Sequence, residues 1–144
     1  MTAASKLEPI LAAVLAWATC KPDIMGVALV GSYAQGTARS DSDIDLVVLT
    51  PEPDAFRSSQ TWPHEVDWAL VPSSVREWQD ARYGAAWSRH VLLTDGSAVE
   101  FCFVEPSWVA VEPIDPGTRD VIAGGCRVLL DREHYFERLI NHAV

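Results

Sequence analysis

The sequence predicts an α/β domain of the α+β kind, a mixed and twisted β-sheet flanked by helices, on three observations. The run Val27-Ala28-Leu29-Val30 is continuously apolar, as in a strand buried on both faces. Asp95-Gly96 is a strong reversal signal between two β-prone stretches, residues 87–94 and 98–104, and so predicts a hairpin. Leu7, Leu11, Val14, Leu15 and Ala18 recur with helical spacing ahead of the first strand.

The elements follow in chain order. A helix is expected over residues 7–19, with Pro9 tolerated in its first turn and Pro22 closing it. The apolar strand ends at Gly31-Ser32, where a residue without Cβ lets the backbone turn sharply. Residues 33–42 read as a short helix and a loop. Asp43-Ile44-Asp45-Leu46-Val47-Val48-Leu49 is a second strand, stopped by Pro51-Glu52-Pro53. Residues 51–82 carry the weakest pattern; His64-Glu65-Val66-Asp67 has strand spacing, and Trp62, Trp68 and Trp78 suit core or edge packing. After the hairpin, a helix from Thr118 is stopped by Gly124-Gly125, and Val128-Leu129-Leu130 is a short apolar segment. Asp131 is placed to cap a last helix containing Tyr135, Phe136, Leu139 and Ile140. With 144 residues, 49% of them hydrophobic and 22% charged, and with no repeat or low-complexity linker, residues 1–144 are expected to form a single domain.

The chemistry concentrates in residues 27–50. Backbone N–H groups at a Gly-Ser turn that opens a helix form a cradle for phosphate oxygens. Asp43 and Asp45 project from the same side of a strand, while Ile44 and Leu46 point into a core. Paired carboxylates repel unless neutralised, and Mg²⁺ accepts oxygen ligands from a few carboxylates and a phosphate. Cradle and acid pair together predict phosphoryl or nucleotidyl transfer. Asp41 alone reads equally as a solvated acid. Gly31 to Thr37 nearly fits the phosphate-binding pattern G-x-x-x-x-G-K-[ST], but no lysine follows Gly36, so that reading is dropped.

Residues 31–48, GSYAQGTARSDSDIDLVV, resemble the signature of the nucleotidyltransferase superfamily that includes DNA polymerase beta. Within it the chain is most similar to small bacterial nucleotidyltransferase-domain proteins related to aminoglycoside and lincosamide nucleotidyltransferases. Looser similarity extends to residues 83–90 and to Val99-Glu100-Phe101. The resemblance implies a third metal-binding acid on a strand beside the Asp pair. Glu100 matches that place, with Asp67 as the alternative. A carboxylate in the middle of an apolar strand needs a cation, a proton or an outward-facing position. Asp43, Asp45 and Glu100 are thus the expected catalytic and metal-binding residues, for one or two Mg²⁺ ions. Gly31 and Ser32 are the expected phosphate cradle. Arg39, the only cation in the motif, either reaches the triphosphate or pairs with Asp41 or Asp43. Arg89 and His90 either approach the site or form an exposed strand edge.

The implied activity is Mg²⁺-dependent transfer of a nucleoside monophosphate from an NTP, ATP first among them, to a hydroxyl of a small molecule. The alternatives are a minimal nucleotidyltransferase antitoxin that modifies a partner protein, and a non-catalytic nucleotide-binding module. A formal net charge of −9 argues against a surface that grips nucleic acid and favours a small, cationic acceptor or a protein side chain; that a small acceptor is antibiotic-like is what the resemblance implies. With few residues after the hairpin, a homodimer mate or a helical partner protein is a candidate for completing the acceptor pocket. Cys20, Cys102 and Cys126 form no C-x-x-C pair and read as reduced thiols. No apolar run approaches the ~20 residues that span a bilayer, and Glu8-Pro9 breaks the weak resemblance of the start to a secretory signal. A cytoplasmic protein is expected.

Overall fold

The computed structural model describes residues 3–84 and 86–143. Its centre is one six-stranded sheet with the spatial order β3-β4-β5-β2-β1-β6. The strands are β1 (Gly26–Val30), β2 (Ile44–Leu49), β3 (Val75–Tyr83), β4 (Ala86–Leu93), β5 (Ala98–Val104) and β6 (Arg127–Asp131). All neighbouring pairs are antiparallel except β2 and β5, which run parallel in register from Ile44↔Val99 to Leu49↔Val104. The sheet is therefore mixed, as its sequence predicts.

Strand alternation divides the sheet into two unlike faces. On one face Val27, Leu29, Ile44, Leu46, Val48, Val99, Phe101 and Phe103 are buried. They pack under α1 (Ala3–Thr19), α3 (Pro53–Ser58) and α4 (Trp62–Glu65). An aromatic cluster fills this layer: Trp87 stacks on Phe103 at 4.6 Å between centroids, and Trp62 meets Phe101 edge-on at 5.0 Å. Each such fully buried side chain contributes roughly 1.5–3 kcal/mol of burial. On the other face α5 (Pro116–Ala123) and α6 (Tyr135–Ala143) cover Ala28, Val30, Val47, Leu49 and Val104 through Ile122, Phe136 and Leu139.

Local signals explain most element boundaries. Asp115 caps α5, its side chain accepting from the Thr118 N–H at 3.0 Å. Asp131 does the same for α6, accepting from the N–H groups of Phe136 and Glu137 at 3.0 Å each.

Three expectations need correction. The first helix begins at Ala3, which puts Pro9 inside it rather than in its first turn; burial of Ile10, Ala13, Val14 and Trp17 outweighs the lost N–H. His64 to Asp67 is not strand but the end of α4 and the approach to a 3₁₀ turn at Trp68–Leu70, because Trp62, Val66 and Trp68 must all reach the aromatic layer. The weakly patterned stretch hides a nine-residue strand, β3, which forms a hairpin with β4. In residues 83–90, Ala85 lies outside the described residues.

Candidate active site

The chain leaves β1 at Val30 and enters α2 (Gly31–Gln35) without a linker. Gly31 makes this possible with φ +72°. A Cβ on Gly31 would run into Oδ2 of Asp45, so the missing side chain also lets the turn lie against that carboxylate. Ser32 is half-buried in the first turn of α2, where helical N–H groups have no intrahelical partner. Gly36, at φ 78°, ends the helix after this single turn. A Cβ on Gly125 would come within 2.9 Å of the Ala34 carbonyl oxygen. The turn after α5 therefore buttresses α2; the Gly-Gly pair was legible in sequence only as a helix stop.

Asp45 and Glu100 stand side by side on parallel neighbours, paired in the β2–β5 register. Both point to the face that α5 and α6 leave partly open. Burial, a hydrogen bond from carboxyl to carboxyl with Glu100, and the charges of Glu100 and Asp43 push Asp45 up to about 7. The His90 ring opposes this only weakly. Asp43 lies one residue before β2, and its Oδ2 is 3.0 Å from Nε2 of His90. Ser88, buried beneath, donates its hydroxyl to Oε1 of Glu100 at 3.1 Å.

A cavity of about 420 Å³ opens over these groups, with Gly31, Asp45, Glu100, Cys102, Trp108 and Asp120 in its wall. It shares Ala86 and Trp108 with a second cavity of about 470 Å³ beside Glu105, Ser107 and Asp115. Burial and the neighbouring charges of Glu100 and Asp45 push the Cys102 thiol up to about 11, so it is a neutral wall residue.

The remaining candidates separate cleanly. Arg39 is exposed on the loop between α2 and β2, and its backbone N–H bonds Ser42 Oγ at 2.7 Å. Among the described residues its side chain forms no ion pair with Asp41 or Asp43. Asp67 is exposed on the α1 side, in a recess with Trp17, Lys21 and Glu65, and so faces away from the Asp45–Glu100 pair. Arg89 points into the core between Trp62, Trp78 and Trp87, where Asp80 neutralises it. Its neighbour His90 alternates to the site face. Sequence reasoning left that pair open, and it missed Ser88, whose only signal is its period-two spacing from His90.

Among the described residues no three His, Cys, Asp or Glu side chains converge closely enough to hold an ion as they stand. The donor set nevertheless fits a hard divalent cation: three carboxylates, oxygen only, two of them in contact and strained by unneutralised charge.

Residues 17–87 match the family model of the nucleotidyltransferase domain, from the end of α1 to the start of β4. The matched segment carries the Gly31-Ser32 turn and both Asp43 and Asp45, while Glu100 lies beyond it. Comparison with curated proteins gives no match. Among solved structures it is similar to an aminoglycoside 6-adenyltransferase from Bacillus subtilis, at 14% identity and a TM-score of 0.46, over 67% of this chain and 34% of that one. It is also similar to a toxin-antitoxin structure with AMP-PNP, at 16% identity and a TM-score of 0.47, over 92% of this chain and 82% of that one. The chain thus spans about a third of the length of the adenyltransferase.

Proposed function

We propose that this chain moves a nucleoside monophosphate from a nucleoside triphosphate to a hydroxyl of a small-molecule acceptor, releasing pyrophosphate. One observation carries the reading: Asp45 and Glu100 are in register on parallel strands against the Gly31-Ser32 turn, with Asp43 at the edge. Gly31 and Ser32 bind the β- and γ-phosphates, through the free N–H groups at the start of α2 and the Ser32 hydroxyl. Asp43, Asp45 and Glu100 would hold Mg²⁺, which supplies charge neutralisation for the leaving pyrophosphate. Glu100 takes the proton of the attacking hydroxyl on a carboxylate oxygen. Arg39, on its exposed loop, is free to reach a triphosphate. The rest is positioning: an in-line approach held by the cavity walls lowers the barrier without covalent chemistry on the protein.

The acidic balance of the chain supports an acceptor other than nucleic acid. A second reading, a protein hydroxyl as acceptor, has one observation in its favour. Glu77, Gln79 and Ala81 of β3 extend the site face of the sheet as an exposed surface, open to a macromolecule. The described chain builds one sheet and its two covering layers, which supports reading residues 1–144 as one catalytic domain. Among the described residues no helix is long and apolar enough to cross a membrane. All three cysteines are free, in keeping with a cytoplasmic setting.

Calorimetric titration with Mg²⁺ and each of ATP, GTP, CTP and UTP tests the site, and pyrophosphate release in an acceptor screen tests the reaction. Glu100→Gln is expected to abolish both metal-dependent nucleotide binding and release, and Asp67→Asn to leave both unchanged. Equal loss in the two variants would sink the assignment of the third acid.

A further inference from the structure

Two of the three acids each have a dedicated hydrogen-bond partner, and both partners stand on β4. Residues 88 and 90 lie on one face by strand alternation. In the β4–β5 register Ser88 faces Cys102 and His90 faces Glu100. The Ser88 hydroxyl leans along the strand to Oε1 of Glu100 at 3.1 Å. The His90 ring reaches over β5 to Oδ2 of Asp43 at 3.0 Å.

We propose that Ser88 and His90 are positioning residues that preset Glu100 and Asp43 for a divalent cation. The inference rests on the proposed nucleotidyl-transfer site. Fold stability does not account for the His90–Asp43 contact. Its two side chains are 39% and 44% exposed, and pairs this wet contribute little to folding. What the contact does fix is direction: Asp43 sits on loop backbone before β2, and without a partner its carboxylate would sample several rotamers. Ser88 fixes the other end. At 1% exposure its hydroxyl needs a partner, and it bonds the Glu100 carboxylate rather than a main-chain carbonyl. Ligating carboxylates are commonly oriented by such outer partners, whose loss costs roughly tenfold to hundredfold in metal affinity.

The test is Mn²⁺ titration of the full chain, with free Mn²⁺ read by electron paramagnetic resonance, with and without a non-hydrolysable nucleoside triphosphate. Wild type, Ser88→Ala, His90→Ala and His90→Gln are compared, with thermal melts alongside. Ser88→Ala and His90→Ala are expected to bind Mn²⁺ roughly tenfold to hundredfold more weakly while melting close to wild type. Gln carries an N–H donor near the place of Nε2, so His90→Gln is expected to recover most of the affinity. Unchanged or tighter Mn²⁺ binding in both alanine variants would overturn the positioning role while leaving the site intact. Wild type that binds no Mn²⁺ even with the triphosphate would overturn the site itself, and this inference with it.

Discussion

Asn at position 45 should make the metal-free protein more stable at alkaline pH, because Asp45 is held in a place that disfavours its own charge. Its carboxyl titrates at about 7 in the folded chain against an ordinary value of 3.8. Between those two values the folded state keeps a proton that the unfolded state has released. Stability therefore falls as pH rises through the window and stays low above it. The full displacement corresponds to ~4 kcal/mol; the group is only partly buried, and solvent screening brings this to ~2 kcal/mol. At pH 5 the unfolded carboxyl is already mostly ionised, so about a third of that cost is present there, and roughly 1–1.5 kcal/mol develops between pH 5 and 8.5.

The assay is thermal melting of wild type and Asp45→Asn in chelator at pH 5, 6, 7 and 8.5. For a chain of this length the extra term is worth ~4 °C. The variant's advantage should therefore widen by about that much from pH 5 to 8.5. Millimolar Mg²⁺ with a nucleoside triphosphate should close the gap by raising wild type alone. A gap that is flat with pH, or an Asn variant less stable at pH 8.5, would refute the claim that Glu100 and Asp43 crowd this carboxyl.

Two further perturbations address the scaffold. Arg89→Ala should lower stability by ~3–5 kcal/mol, seen in denaturant melts. It removes the bidentate contact to Asp80 at 2.8 and 3.0 Å, the bonds to the Ser59 and Arg57 carbonyls, and the filling between three tryptophans; Arg89→Lys should recover little, since an ammonium cannot bridge two oxygens in one plane. Gly31→Ala should cost ~1–3 kcal/mol from the positive φ alone and abolish metal-dependent nucleotide binding by displacing Asp45, as calorimetry will show; wild-type affinity in that variant would remove Gly31 from the cradle.

The strands that build the site were legible because their signals are local. Val27 to Val30 is uniformly apolar, Asp95-Gly96 admits few alternatives to a reversal, and Asp43 and Asp45 alternate against Ile44 and Leu46. Glu100 was legible as an anomaly, a charge among apolar neighbours, though only the parallel β2–β5 register shows what stands beside it. β3 was not legible. It is an edge strand with polar residues on both faces, Glu77 and Gln79 on one and Asp80 and Arg82 on the other, so the hydrophobic alternation that marks a half-buried strand is missing. Arg89 misled for the opposite reason. Charge in sequence reads as surface, yet Asp80, two carbonyl oxygens and the tryptophan faces together make burial of this guanidinium possible. Asp67 had the right residue type and spacing but the wrong element. Three large apolar side chains around it demanded a helix and a 3₁₀ turn on the α1 side.

The same alternation along β5 explains why fold and site coexist on one strand. Phe101 and Phe103 are wholly buried against the aromatic layer, which fixes β5 in place and in register with β2. That register sets Glu100 against Asp45 whether or not the two repel. Apolar burial on one face thus outweighs the electrostatic cost on the other, and the cost is local enough to be relieved by a bound cation. Helices α5 and α6 cover Val30 and Val47 on the carboxylate face, and α5 walls the cavity over Asp45 and Glu100 with Asp120 and Val121; closing that cavity would trap the pair in a drier medium and raise the penalty further. The opening above Asp45 is therefore where this sheet can tolerate two facing acids, and it is the place where the proposed cation and phosphates would neutralise them.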